Sequence, residues 1–208
     1  MSILDARGNP PPAEVIGAAA AALSDGDIGG IPTDTVYGLA ADPWHSGAAD
    51  RLFLLKGRPR SVELPVLVSS EAQALELTTS VPRSARRLME TFWPGALTIV
   101  LPRGYDVDAD LGDEDETIGV RCPAHPVPRA LCEKAGPIAT TSANRHGEAP
   151  LTTAAALAAS LPGIALVLDA GVCSGEPSTV VDSTGDVPKL LRAGAISWEQ
   201  IVAVAGTG

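Results

Sequence analysis

Residues 28–39 read I-G-G-I-P-T-D-T-V-Y-G-L, and the elements on either side of this stretch decide the fold. Ile28 to Ile31 predicts a short strand running into Pro32, which cannot donate to a ladder. Pro32 to Leu39 mixes hydroxyls with one tyrosine and reads as a strand-to-loop element with its polar groups at one end. Upstream, residues 13 to 24 (A-E-V-I-G-A-A-A-A-A-L-S) predict an alanine-rich helix with Gly26 as its stop. Downstream, Ala48 to Leu55 has helical apolar spacing and delivers Lys56-Gly57-Arg58-Pro59 at its C-terminus. Helix, strand, loop and helix therefore follow one another within the first third of the chain.

The alternation continues. Strands are predicted at Leu64 to Val68, Leu97 to Leu101, Thr117 to Arg121, Ile138 to Thr141, Ile164 to Asp169 and Thr179 to Asp182, with a short one at Leu190-Leu191. Helices are predicted at Glu71 to Leu77, Pro82 to Phe92, Pro126 to Ala135, Thr153 to Ser160 and Ser197 to Val204, and Trp93-Pro94-Gly95 is a hard stop. The acidic segment 104 to 116 reads as a loop, as does Ser142 to Gly147. Interleaving without a repeat gives an α/β fold. Hairpin-length connections near the C-terminus favour a mixed sheet. No linker divides the chain, so a single domain over 1–208 is expected.

Composition narrows the function. The chain has 208 residues, 45% of them apolar and only 3% aromatic, so the core is built from Ala, Val, Leu and Ile. The N-terminus lacks a basic start followed by an apolar run, and Val15 to Leu23 is about half a membrane span. A cytoplasmic protein is expected. Cys122, Cys132 and Cys173 lack metal-ligand spacing. His45, His125 and His146 are scattered and read as structural. A net charge of −10 argues against strong nucleic-acid binding. Against that background Arg51, Lys56, Arg58 and Arg60 fall within ten residues, which points to an anionic small molecule or to a solvated helix end.

The common nucleotide and hydrolase motifs are missing: no G-x-x-x-x-G-K-[ST], no G-x-G-x-x-G after a strand, no H-E-x-x-H and no G-x-S-x-G. Polar loops nonetheless follow strands at 32 to 39, 56 to 59, 117 to 121, 141 to 144, 178 to 182 and 190 to 194. Ligands bind where such loops converge. Hydroxyls, an amide and four or five cations suit a nucleotide with an amino acid beside it.

In this order, from Gly29 to Gly194, the loops resemble the YrdC-like family. The resemblance rests on Lys56 with Arg58 (K-x-R), Ser142 with Asn144 (S-x-N), the phrase P-T-D-T-V-Y-G-L and the phrase W-P-G-A-L-T at Trp93 to Thr98. It implies a twisted mixed β-sheet flanked by helices around a basic concave cavity. It implies a nucleotidyltransferase that joins L-threonine, bicarbonate or CO2, and ATP into threonylcarbamoyl-AMP and pyrophosphate. The product would serve N6-threonylcarbamoyladenosine modification of tRNA through a downstream transferase, with Mg2+ accompanying the ATP.

Residue roles follow from the same resemblance. Lys56 and Arg58 would be catalytic, gripping the triphosphate. Thr117, Ser142, Asn144 and Arg192 would complete the ATP site. Thr33, Thr35, Arg121, Thr140 and Ser178 would hold the threonine, Arg121 through its carboxylate. Tyr37 fits either a substrate wall or the core. The chain departs from the family pattern in two places. Residues Arg60 to Leu64, including Glu63, intervene before Pro65, and Ser69 stands where many relatives place a histidine. Both bear on the lid over the threonine. The chain also ends soon after Arg192, as in short family members. Two other readings remain: a carbamoyltransferase domain forming carbamoyl-adenylate, and a non-catalytic RNA-binding module. The first occurs within longer chains bearing zinc-ligand clusters, and the second conflicts with the acidic charge.

Overall fold

The computed structural model describes residues 1–113, 116–144 and 148–206. The expected structural role of His146 and part of the expected 142–147 loop lie outside those residues. The strands are β1 (Ser2–Asp5), β2 (Gly29–Ile31), β3 (Gly38–Ala41), β4 (Val66–Leu67), β5 (Leu97–Pro102), β6 (Thr117–Arg121), β7 (Ile138–Ser142), β8 (Leu166–Asp169), β9 (Thr179–Asp182) and β10 (Lys189–Arg192). The helices are α1 (Ala13–Ser24), α2 (Ala48–Lys56), α3 (Glu71–Leu75), α4 (Arg83–Phe92), α5 (Pro126–Ala135), α6 (Ala154–Ser160) and α7 (Trp198–Ala205).

The strands form one twisted ten-stranded sheet in the order β1-β8-β2-β3-β7-β4-β6-β5-β9-β10. It is mixed: β2–β3, β3–β7, β4–β7, β5–β6 and β9–β10 are antiparallel, whereas β1–β8, β2–β8, β4–β6 and β5–β9 are parallel. Pleating sends alternate residues to opposite layers. Leu39 and Ala41 of β3 join one core with Leu52 and Phe53 of α2 and Leu157 of α6. Ala40 between them joins another core with Ile16 and Leu23 of α1 and Leu131 of α5. A third core closes the far end, where Leu88 of α4 and Ile201 of α7 pack on Leu97, Ile99 and Leu101 of β5.

Three elements differ from the sequence reading. β1 was not anticipated, because SILD is mostly exposed and carries a polar residue at each end. The expected 64–68 strand contracts to Val66–Leu67. Leu64 donates its N–H to the Leu111 carbonyl, outside the sheet, and Pro65 has no N–H to donate. The segment 33–37 is a loop joining antiparallel β2 and β3, not the continuation of a strand.

The end of α2 prepares the site. Gly57 takes φ +63°, its N–H reaches the Leu54 carbonyl, and the Arg58 N–H reaches back to Phe53. This left-handed glycine stop reverses the chain within two residues. An added Cβ would meet nothing within 4 Å, so only backbone strain opposes Gly57→Ala. That variant is expected to lower stability by about 1–2 kcal/mol in urea melts.

Candidate active site

A cavity of about 360 Å3 opens on the sheet, a size suited to a small-molecule site. Alternate residues line it on β5 (Thr98, Val100) and β6 (Gly119, Arg121), as the pleat requires, while β7 contributes Thr140, Thr141 and Ser142 in succession and the approach to β9 adds Pro177, Ser178 and Val180. The β2–β3 loop adds Thr33 and Thr35, the loop after α2 adds Arg58 and Glu63, and Arg192 of β10 completes the rim. Most of the sequence-predicted site residues are thereby brought together.

Thr117 stands apart from the other expected site residues. It shares the face of Gly119 and Arg121 but stands at the opposite end of β6, paired with Pro102, and does not line the cavity. One pleat repeat too many separates it from the site.

The basic run 51–60 divides into three. Arg51 donates to the Gly26 carbonyl, tying α2 to the turn after α1. Arg60 turns outward to Asp50, Asp110 and Asp113. Only Lys56 and Arg58 serve the cavity. Lys56 is 4% exposed and lies behind the wall. Its ammonium donates to the Ser142 carbonyl, to Ser142 Oγ at 3.0 Å and to Asn144 Oδ1 at 2.8 Å. Three acceptors match its three N–H groups. Asn144 also stands outside the lining and donates to the Glu148 carbonyl at 2.7 Å. The lysine of K-x-R and the serine and asparagine of S-x-N are thus one hydrogen-bonded unit. Arg58 reaches the cavity itself, with Nε on the Val62 carbonyl (2.6 Å) and a terminal nitrogen on Glu63 (2.5 Å).

Arg121 is 6% exposed and donates to three different groups: the Gly95 carbonyl at 3.0 Å, Thr35 Oγ1 at 3.0 Å and Asp34 Oδ1 at 2.8 Å. Guanidinium has five N–H groups, so further donor capacity remains for a ligand. The phrase W-P-G-A-L-T supplies its seat. Trp93 donates its indole N–H to Leu97 at 2.7 Å, and Gly95 presents the carbonyl that aims Arg121. Sequence reading missed Asp34, though it sits between the two threonines of P-T-D-T; an acidic residue beside an expected arginine site was the available signal. Thr33 Oγ1 donates to the Val36 carbonyl at 2.7 Å and accepts from the Thr35 and Val36 amides, fixing the loop. Thr98 Oγ1 and Ser178 Oγ lie 3.0 Å apart, and Arg192 donates to Ser178 Oγ at 2.9 Å.

The cations oppose one another. Burial lowers the Lys56 ammonium from 10.5 to about 8, and Arg58 adds to the fall. Burial, then Arg192, lowers Arg58; burial, then Arg121, lowers Arg192. Positive groups held this close favour an anion between them.

Other candidates stand apart. Tyr37 is fully buried, and its hydroxyl donates to the Gly171 carbonyl at 2.9 Å, so it belongs to the core. Burial raises its pKa to about 12. His45 and His125 do not line the cavity. The three cysteines are buried free thiols. Ser69 is absent from the walls, its N–H bonded to Gln73 Oε1.

The Sua5/YciO/YrdC family, described as "Telomere recombination", matches residues 21–194. This chain belongs to it. The family match spans every motif of the cavity, from P-T-D-T to the Arg192 strand. Among family relatives, a Mycobacterium tuberculosis protein is 40% identical over 190 residues, 90% of this chain and 88% of its own. Threonylcarbamoyl-AMP synthase of Bacillus subtilis is 41% identical over 199 residues, 92% of this chain and 56% of the relative. Pyrococcus abyssi Sua5, in its structure complexed with L-threonine, superposes with a TM-score of 0.92 at 36% identity, covering 99% of this chain and 61% of Sua5. The chain therefore spans little more than half of the B. subtilis and P. abyssi relatives.

Proposed function

We propose that this chain is a threonylcarbamoyl-AMP synthase, using L-threonine, bicarbonate or CO2, and ATP. One observation carries the reading: Arg58, Arg121 and Arg192 line a single hydroxyl-rich cavity, with the Lys56 ammonium bonded to its Ser142 wall. Such a cavity suits two anionic partners, a triphosphate and an amino-acid carboxylate. The B. subtilis relative carries the synthase name, and the P. abyssi relative binds L-threonine.

In this reading Arg121, seated by Gly95, Asp34 and Thr35, receives the threonine carboxylate. Thr33, Thr35, Thr140 and Ser178 surround the amino acid. The threonine amine captures CO2 to give a carbamate and releases a proton. A carbamate oxygen attacks the α-phosphorus of ATP, the P–O bond to the leaving group breaks, and pyrophosphate departs. Arg58 and Arg192 offset the charge on the phosphates, while Lys56 fixes Ser142 and Asn144 against them. The protein's task is positioning and charge neutralisation. Among the described residues no group of three or more His, Cys, Asp or Glu is placed to hold a metal ion; Mg2+ would ride on the triphosphate oxygens and neutralise their charge there. The adenylate product is consumed by a transferase acting on tRNA. We assign the reaction to the cytoplasm; among the described residues no helix is long and apolar enough to cross a membrane.

The test is pyrophosphate release from ATP by the purified chain. Release that requires both L-threonine and bicarbonate supports the synthase. Release that requires carbamoyl phosphate instead supports carbamoyl transfer. No release, with retention on RNA that weakens steeply with salt, supports the RNA-binding module. Arg192→Ala is expected to raise KM for ATP about tenfold, the loss of one charge-assisted contact. Arg192 lies on the exposed edge strand β10 with its guanidinium turned in onto Ser178, so the variant's thermal midpoint should fall only by the loss of that tie, worth about 1 kcal/mol.

A further inference from the structure

We propose that Arg60 and the acidic loop 104–113 form a clasp that positions Arg58 and the cavity wall it holds, which makes Arg60 a positioning residue for nucleotide binding. The nucleotide's identity rests on the synthase reading; the clasp itself rests on geometry.

The wall in question is the segment 58–65, whose Arg58, Glu63, Leu64 and Pro65 line the cavity. It has no regular secondary structure, and it meets the sheet only at its end, where the Pro65 carbonyl accepts the Thr140 N–H of β7 at 2.9 Å. The residues before Pro65 need another support. Two backbone hydrogen bonds cross to the acidic loop: Leu64 N–H to the Leu111 carbonyl at 2.8 Å, and Asp113 N–H to the Arg60 carbonyl at 3.1 Å. Between them Gly112 takes φ +140°, and a Cβ there would lie 2.6 Å from the Arg60 carbonyl oxygen. Only glycine permits this approach.

Arg60 adds the side-chain half. Its guanidinium meets Asp50 of α2 at 2.5 Å, Asp110 at 2.6 Å and Asp113 at 3.3 Å, and lies 5.0 Å over the Phe53 ring. One exposed ion pair contributes little, but three converging on a stacked arginine form a network. The network joins α2, the wall and the acidic loop. The loop is itself anchored. Ala109 and Leu111 are buried, the Asp110 N–H reaches the Pro43 carbonyl at 2.8 Å, and Arg103 donates to the Val107 and Ala109 carbonyls. The clasp thus ends on Arg58, which donates to the Val62 and Glu63 carbonyls of the clasped segment. Arg58 and the wall are each other's support, and Arg60 fixes both from outside the cavity.

The experiment compares Arg60→Ala, Arg60→Lys, Gly112→Ala and the Arg60→Ala/Gly112→Ala pair with the parent chain. Equilibrium binding of ATP and of L-threonine is measured separately, with hydrogen exchange at the Leu64 and Asp113 amides. Gly112→Ala breaks the clasp while leaving every charge in place. Asp50→Asn, which removes a single arm, stands in if Arg60→Ala does not fold. Expected are ATP affinity weakened about tenfold, threonine affinity within about twofold of the parent, faster exchange at both amides, partial recovery with Arg60→Lys, and a pair no weaker than its worse member. Faster exchange with ATP affinity unchanged would overturn the proposal, as would equal losses for ATP and threonine. A parent chain that binds ATP but releases no pyrophosphate overturns the synthase reading alone, and the clasp then stands on the binding data. A parent chain that binds no ATP overturns both.

Discussion

Lys56→Met is expected to lower ATP-dependent pyrophosphate release by about a hundredfold or more, equivalent to about 2.7 kcal/mol in the barrier. Methionine keeps the stem but removes the charge that gathers Ser142 and Asn144. A loss under about tenfold in steady-state assays would contradict the role assigned to the K-x-R and S-x-N unit.

The same variant carries a pH signature. The folded ammonium titrates near 8, against 10.5 for an ordinary lysine. Between those values the unfolded chain binds a proton that the folded chain has released. Parent stability should therefore rise from pH 8 to 10.5, and the full cost of burying the charged form applies below pH 8. Lys56→Met should lack that rise in denaturant melts. Nucleotide affinity should move oppositely: phosphate favours the charged amine, so ATP binds more weakly as pH climbs through about 8.

Arg121→Met is expected to remove threonine-dependent activity and to destabilise the chain by about 3–5 kcal/mol. It strands the Asp34 carboxylate, whose side chain is only 18% exposed, and leaves Thr35 Oγ1 and the Gly95 carbonyl without their donor. Adding Asp34→Asn should recover much of the stability and none of the activity. Arg121→Lys should not rescue turnover either, because one compact ammonium on its stem cannot reach the Gly95, Thr35 and Asp34 acceptors that the planar guanidinium spans and still clamp a carboxylate bidentately. Urea melts and single-turnover assays on the four proteins measure both effects. Equal stability of Arg121→Met and the double variant would show that the ion pair contributes nothing to folding.

How much of this was legible depends on the residue. The boundaries of α1, β6, α5 and β9 follow directly from periodicity and from glycine and proline stops. β1 was invisible because a four-residue, mostly exposed strand has no apolar alternation to display. The cavity's loops were legible as polar segments after strands, but their pairing was not. Only the fold shows that Lys56 meets Ser142 across 86 positions, or that Arg121 meets Asp34 across 87. Thr117 shows that periodicity gives a face and says nothing about how far along the strand a cavity extends. The basic cluster was read as one feature, yet Arg51 and Arg60 found backbone and carboxylate partners that no local pattern encodes.

The pairing of β1 with β8 carries a consequence for synthesis. Ser2 lies against Leu166, so β1 leaves the ribosome 164 residues before the strand it pairs with among the described residues. At 5–20 residues per second that interval is roughly ten to thirty seconds. Throughout it, the newborn chain displays a strand edge bearing Ile3 and Leu4 with no neighbour to cover it. That window is where a holding chaperone would engage the nascent polypeptide, and where crowded ribosomes would expose it to mispairing with a sister chain.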